Sequence, residues 1–366
     1  MKTNYFVLEN TIESNALEQI KNTESFSAIE KIAVFPDIHY CDEKAIPVGL
    51  AFSTSDTIFP LITGKDMGCG VAYLKVPKTD VLKPFDKAKH YRALDKYQNE
   101  FTDEKLGGGN HFLSIEEDEK NWYIICHTGT RNLGIAMFQA NYALLQNYSD
   151  NPHSIKLDVL KAIKPEWFTN YNIILTYGKV RRSEFCQKTL QFLINNEYVK
   201  GQKDQNYLKQ APKTSLIKIS DSGYEYGDSI HNHIKYENGM FIHRKGSTEL
   251  NNDTIVIPLS MTRGSLLVKK AYENDNALNS CAHGAGRKLS RTDTLKYWHS
   301  SLKEKERKEY RQRFSEMLSR DGKFSNGYLQ EFDFAYKESD SILADQPHLK
   351  KVTETKPIVT FKFTEI

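Results

Sequence analysis

The chain of 366 residues has no long hydrophobic run. Its longest apolar stretches, YIIC and NIILTY, are strand-length and far below a bilayer span. The N-terminal MKTNYFVLENTIES has no apolar segment, so no secretory signal is expected. Charge of one sign is also missing. Fifty Lys and Arg face 47 Asp and Glu, a net of +3, so any nucleic-acid surface has to be local. Cysteines are few. The five (41, 69, 126, 186, 281) are odd in number and irregularly spaced, which excludes a disulfide framework and places the chain in a reducing, cytoplasmic compartment. No internal repeat and no Pro/Gly/Ser-rich linker divides the sequence. A single domain spanning 1–366 follows, with a polar, aperiodic loop excursion at 198–228.

Apolar periodicity predicts helices at 14–22, 80–101, 134–148, 168–196 and 301–319, the last charged and solvated on most faces. Strands are predicted at KIAVFPDIHY, VAYLKVP, NWYIICH, GMFIHRKGS, TIVIPLS, SLLVKKAY and PIVTFKFTEI, with 37–70 rich in loops. Helices and strands intermix without a regular βαβα count, so the fold class is α+β, mixed sheets flanked by helices.

Glycine-rich turns carrying His, Asn, Cys or Arg recur: KDMGCGV (65–71), LGGGNHF (106–112), CHTGTRNLG (126–134), SIHNH (229–233), IHRKGST (242–248) and CAHGAGRKLSR (281–291). Each sets a metal- or phosphate-capable side chain beside a residue that lets backbone N–H groups approach a ligand. Asp66-x-x-Cys69 has ligand spacing. Carboxylate plus thiolate suits zinc, manganese or iron better than magnesium, and His111, His127 and His231 could join from other segments. Cys69 reads equally well as a small buried hydrophobe. Asn110, Arg131, Arg244, Lys245 and Arg287 stand beside glycines and match phosphate, or else form surface ion pairs. Beside a metal-bound phosphate, His283 has a third role open to it. A neutral imidazole can attack phosphorus and form a phosphoramidate.

The order of these motifs resembles the RtcB family of RNA-splicing ligases. The matching stretches are PDIHYCDEKAIPVG (36–49), DMGCGV (66–71), GGGNHF (107–112), HTGTRNLG (127–134), HN (231–232), HRKGST (243–248), PLSM followed by Ser265, HGAGRKLSR (283–291), YKESDSILADQ (336–346) and PIVTFK (357–362). The resemblance implies an RtcB-like fold and a GTP- and manganese-dependent ligase. Such an enzyme joins an RNA 3′-phosphate or 2′,3′-cyclic phosphate end to a 5′-hydroxyl end through a guanylylated histidine, in RNA repair or tRNA splicing. A metal-dependent RNA phosphoesterase is the rival reading, although a hydrolase needs no covalent histidine.

Carried over residue by residue, the resemblance makes His283 the nucleophile. Two Mn²⁺ ions would share Cys69, with Asp66 and His111 on one side and His127 and His231 on the other. The nucleotide would meet Asn110, His111, Phe112, Leu113, Ser114, His231, Asn232, the Pro258–Leu259–Ser260–Met261 turn, Ser265, His283 with the Gly284–Ala285–Gly286 backbone, Tyr336 stacked on the base, and Lys362. Arg287 and the glycines would hold phosphate. The chain departs from the family at Leu259, at Arg181 (where an Asn precedes the retained Arg182) and at Ser114, where the family has an acid. The loss of that acid implies weaker selection of guanine, unless Glu116 or Glu117 takes the role over.

Overall fold

The computed structural model describes residues 2–41, 46–98, 100, 105–206, 224–251 and 253–362. Two five-stranded sheets carry the fold. In the first, strands run in the order Thr3–Tyr5, Lys31–His39, Val48–Thr54, Met240–Lys245, Asn232–Glu237. Only its outermost pair, Thr3–Tyr5 with Lys31–His39, is parallel. The second has the order Lys356–Phe361, Phe112–Glu117, Asn121–Thr128, Gly70–Pro77, Glu225–Ile230, antiparallel throughout. A three-stranded sheet of Ile255–Ser260, Gly264–Lys270 and Leu349–Glu354 stands beside them, with two short ribbons. Mixed antiparallel sheets with helices packed on them are an α+β fold, as the unevenly spaced strands and helices predict.

The central strands of the second sheet are buried almost along their whole length, because the helix Trp167–Asn195 crosses Asn121–Thr128 and Gly70–Pro77. That is why NWYIICHT reads as a continuous apolar run rather than an alternation. The helix Lys87–Gln98 buries only Tyr91, Leu94 and Gln98, one stripe at i, i+3 and i+7. Its other faces are solvated, which accounts for its polar sequence.

Several boundaries shift. The loop-rich region 37–70 contains Val48–Thr54, a central strand of the first sheet, and the short strand Thr57–Ile58. The strand Phe112–Glu117 follows directly on the Gly-Asn-His turn that masks it. The charged helix is shorter than 301–319. It spans Glu304–Arg313 and stops where Phe314 and Met317 turn into the core. The 198–228 excursion ends in the strand Glu225–Ile230, and its residues 207–223 lie outside the described ones. Among the described residues, no helix is long and apolar enough to cross a membrane.

The chain passes from the second sheet to the first at a single residue, His231, between Ile230 and Asn232. The corner is pinned from both sides. The His231 N–H donates to the Cys69 carbonyl (2.9 Å) and the Gly68 N–H to the Asn232 carbonyl (2.8 Å).

Candidate metal and phosphate-transfer site

Four segments meet at this corner. Cys69 ends the turn before Gly70–Pro77, His111 precedes Phe112–Glu117, His127 lies near the end of its strand, and His231 is the corner itself. Cys69 Sγ lies 3.3 Å from His111 Nε2 and 3.3 Å from His127 Nε2, and His127 Nε2 lies 3.3 Å from His231 Nε2. All four side chains are buried. The spacing equals the edge of a tetrahedron with metal bonds of roughly 2.0–2.3 Å. His127 Nδ1 donates to the Asn110 carbonyl (3.1 Å), which turns the Nε2 lone pair inward.

Burial dominates the protonation of the cluster. It pushes His111 down to about 4, helped by Arg131, Arg181 and Arg182 and opposed by Asp66. Burial and neighbouring imidazoles hold His127 and His231 well below the usual range. The Cys69 thiol is pushed well up by burial and by the Asp66 carboxylate. Neutral imidazoles and a thiol that gives up its proton on ligation are the chemistry of a cation site, so the donor set fits a soft or borderline metal. Asp66 is exposed and stands outside the tight cluster, but its charge reaches both Cys69 and His111.

Two adjacent arginines on the long helix brace this corner. Arg182 pairs with Asp228 through two bonds (2.6 and 2.9 Å) and donates to the Gly68 and Thr128 carbonyls. Arg181 donates to the Gly129 and Lys105 carbonyls (2.5 and 3.0 Å). Glycine is required at 107, where φ is +109° and a Cβ would sit 2.5 Å from His111 Nδ1.

A cleft of about 430 Å³ opens beside the cluster. Of the residues expected to meet a nucleotide, Asn110, Phe112, Pro258, Leu259, Ser260, Met261, His283, Gly284, Ala285, Gly286, Tyr336 and Lys362 line it, together with His127. His111 and His231 stand in the metal cluster behind it. Leu113 packs into the hydrophobic core on the far face of its strand. Asn232 lies at the corner, its amide bonded to the Gly246 N–H and the Asp66 carbonyl. Ser114 and Ser265 are fully buried, and both donate to Glu116, a cleft residue. Glu117 instead pairs with Lys78 at 2.8 Å.

Three phosphate candidates are placed differently from the sequence expectation. Arg244 is buried and committed to Glu237 (2.7 Å), Ser280 and the Leu278 carbonyl. Lys245 donates to the Ile46 carbonyl at 2.8 Å. Their strand is enclosed, so both cations serve the fold. Arg287 reaches the cleft wall, but its nitrogens donate to the Leu289 and Gln330 carbonyls, Tyr336 Oη and Thr294 Oγ1. It anchors the turn and supports Tyr336 instead of offering a free fork.

His283 stands in the cleft wall with its ring centroid 4.8 Å from that of His231. Its Nδ1 lies 2.5 Å from Asp37 Oδ2, and the same oxygen accepts the His283 and Gly284 backbone N–H groups at 3.0 Å each. Burial would lower this imidazole, but the Asp37 charge beside it outweighs burial, so it stands above the usual histidine range. Gly286 makes the approach possible. Its φ is +73°, and a Cβ there would lie 2.8 Å from Asp37 Cα. Asp37 is a side chain of the site that the motif reading missed. Its signal was an acid inside an otherwise apolar strand, KIAVFPDIH, where burial demands a partner. Glu331 was also missed. It accepts from Tyr336 Oη and pairs with Lys362 Nζ at 2.8 Å, closing the far end of the cleft.

A buried cysteine–histidine cluster that could hold a metal ion, next to a glycine turn that presents a histidine to a cleft, defines the class of site. The family pattern described as tRNA-splicing ligase RtcB matches residues 83–363, and the chain belongs to this family. It is 24% identical to the RNA-splicing ligase RtcB2 of Escherichia coli strain ATCC 25922, over 96% of this chain and 93% of that protein. It is 23% identical to the RNA-splicing ligase RtcB of E. coli K12, over 94% and 93%. The tRNA-splicing ligase RtcB of Methanocaldococcus jannaschii aligns at 25% identity over 70% of this chain and 29% of its own length.

Proposed function

We propose that the protein is a cytoplasmic RNA ligase that uses GTP and manganese to join 3′-phosphate or 2′,3′-cyclic phosphate ends to 5′-hydroxyl ends, in RNA repair or tRNA splicing. The observation that carries the reading is His283. It is the one imidazole of the site held by a carboxylate, it faces the cleft, and it adjoins a metal-ligand cluster.

Cys69, Asp66, His111, His127 and His231 would hold the cations. Bound there, they would supply positive charge to the phosphates at the cleft mouth. The Asp37 charge beside Nδ1 favours the proton there and leaves Nε2 as the nucleophile. The Nε2 lone pair attacks the α-phosphorus of GTP, the bond to the β-phosphate oxygen breaks, and pyrophosphate leaves. An oxygen of the RNA 3′-phosphate then takes the guanylate, breaking the P–N bond and freeing His283. The 5′-hydroxyl oxygen attacks the activated RNA phosphate and GMP departs. Tyr336, Lys362 and the 258–261 segment border the nucleoside, and the Gly284–Gly286 turn borders its phosphate; the Gly284 and Ala285 N–H groups are already taken by Asp37 and by the Pro258 carbonyl.

Incubation with GTP labelled at the α-phosphate and with manganese, followed by denaturing electrophoresis, tests this. Label retained on the protein, stable in alkali and released in mild acid, is the expected result. An unlabelled protein that hydrolyses RNA ends would instead establish the phosphoesterase.

A further inference from the structure

A second groove, of about 800 Å³, lies outside the site described above. Among the described residues it shares none with the cleft. It forms where the edges of the two large sheets meet. Asn232–Glu237 is the outermost strand of the first sheet, and Glu225–Ile230 that of the second. The third wall is the helix Trp167–Asn195. It contributes Phe168, Asn172, Leu175, Thr176 and Lys179, at i, i+4, i+7, i+8 and i+11, which is one face of a helix. Tyr171 on the same face ties helix to strand, its Oη accepting the Ile234 N–H at 2.7 Å. Ser229 and Ile230, just before the corner residue His231, and His233, just after Asn232, also line the groove. The groove therefore abuts the metal corner.

Its chemistry combines aromatic rings with cations. Tyr236 is 61% exposed, and its ring centroid lies 4.9 Å from that of Phe241, which lies 5.9 Å from that of Phe168. An exposed ring backed by two others is a platform on which a flat group can stack. Lys161 and Lys179 are exposed, and no acid among the described residues pairs with either. The acids of the groove are already answered. Asp228 is held by Arg182 through two bonds, and Glu249 by His233 at 3.3 Å and by Lys235. Burial would raise the Glu249 carboxyl, but His233, Arg244 and Lys235 hold it low. The charge left over is positive. Lysines along a groove meet backbone phosphates, and an exposed ring stacks on an unpaired base. A duplex keeps its bases stacked on one another and offers Tyr236 none.

We infer that this groove binds single-stranded RNA, the stretch flanking an end brought to the metal corner. The inference goes beyond the reading of the cleft and rests on the ligase reading only for the nucleic acid being RNA.

The test is fluorescence anisotropy of labelled single-stranded RNA, about 4 and about 16 nucleotides long, without GTP. Wild type should bind the longer strand about tenfold more tightly or better. Lys161→Ala combined with Lys179→Ala should lower the slope of log affinity against log salt by about 0.7 for each lysine. Tyr236→Ala should weaken the longer strand by about fivefold or more, the loss of one base stack. All three side chains are exposed, so the variants keep the fold, which a thermal melt checks. Either variant behaving as wild type, or equal affinity for the two lengths, overturns the proposal. If the groove instead seats a second copy of this chain, Tyr236→Ala breaks a concentration-dependent dimer while RNA binding stays unchanged, which overturns it too. Labelling by GTP reads the cleft separately. A wild type that takes no label yet binds RNA through Lys161, Lys179 and Tyr236 sinks the guanylylated histidine and leaves the groove standing.

Discussion

Two kinds of histidine occupy one corner of this molecule. His111, His127 and His231 gather around Cys69 and are held low by burial, with arginines adding to it at His111 and neighbouring imidazoles at His127 and His231. His283, one ring away, is enclosed except towards the cleft yet is pushed the other way by Asp37. Burial lowers all four, and at His283 the neighbouring acid outweighs it. Imidazoles facing a thiol and each other are lone-pair donors that could hold a cation. An imidazole with a carboxylate on Nδ1 is an oriented nucleophile or proton carrier. A glycine-flanked histidine and a strand-end histidine look alike in sequence; the acid behind the ring separates them.

The sharpest way to break the comparison is to exchange fates. His283→Ala should abolish covalent labelling completely while bound metal, measured by elemental analysis, stays at the wild-type level. Label surviving in this variant would end the assignment of the nucleophile. Cys69→Ser should do the reverse to the metal. It removes the donor that touches both His111 and His127, so affinity should fall by more than the roughly 10–100-fold seen on losing an outer-shell partner. Two full equivalents of manganese in Cys69→Ser would contradict a shared thiolate. A cysteine serving only as a buried hydrophobe would instead lower the melting temperature and leave metal content alone.

Most of this corner could be read from the sequence because glycines and metal-capable side chains fall within a few residues of each other. Cys69, His111, His127, His231 and His283 were all legible in that way. Asp37 was not, since its partner is 246 positions further along the chain. Nor were the commitments of Arg244, Lys245 and Arg287. An arginine beside a glycine has the same appearance whether its fork meets a ligand or a protein carbonyl, and only packing decides. In the fold, long apolar or amphipathic segments were legible and strands attached to turns were not. Phe112–Glu117 and Val48–Thr54 hide behind glycine-rich or Pro-containing loops that punctuate the pattern.

Asp37→Asn sharpens the contrast with a smaller effect. It keeps an oxygen for the His283 and Gly284 N–H groups but withdraws the charge from Nδ1. Labelling should slow by roughly 100-fold, the lower range for a positioned acid–base partner. The pH profile gives the decisive readout. Asp37 raises His283, and attack needs the neutral ring, so the rising limb of labelling should move to lower pH in the variant. A slower enzyme whose limb has not moved would make Asp37 a support of the turn only.

The smallest effect concerns a buried histidine outside the cluster, and it tests whether enclosure alone sets the downward direction. His243 stacks on Phe52 with ring centroids 4.6 Å apart. Its Nε2 accepts the Phe59 N–H at 3.1 Å and its Nδ1 faces the Phe241 carbonyl at 3.3 Å, so the ring is neutral with one defined tautomer. Burial drives it down to about 3. Its folded value lies below its unfolded value, so the unfolded chain binds the extra proton as pH falls below about 6.5. The stability it contributes is complete above that pH and is lost on going down towards 3, by about 2 kcal/mol between pH 6.5 and 5. His283 has the opposite sign: its contribution is present at low pH and fades as pH rises through its raised value. Denaturant unfolding from pH 5 to 7 in wild type and His243→Gln isolates the one residue, because every other histidine is common to both. The slope of stability against pH should flatten by close to one proton in the variant. An unchanged slope would mean that the interior at His243 tolerates the charged ring, and that depression in the Cys69 cluster comes from the neighbouring imidazoles rather than from enclosure.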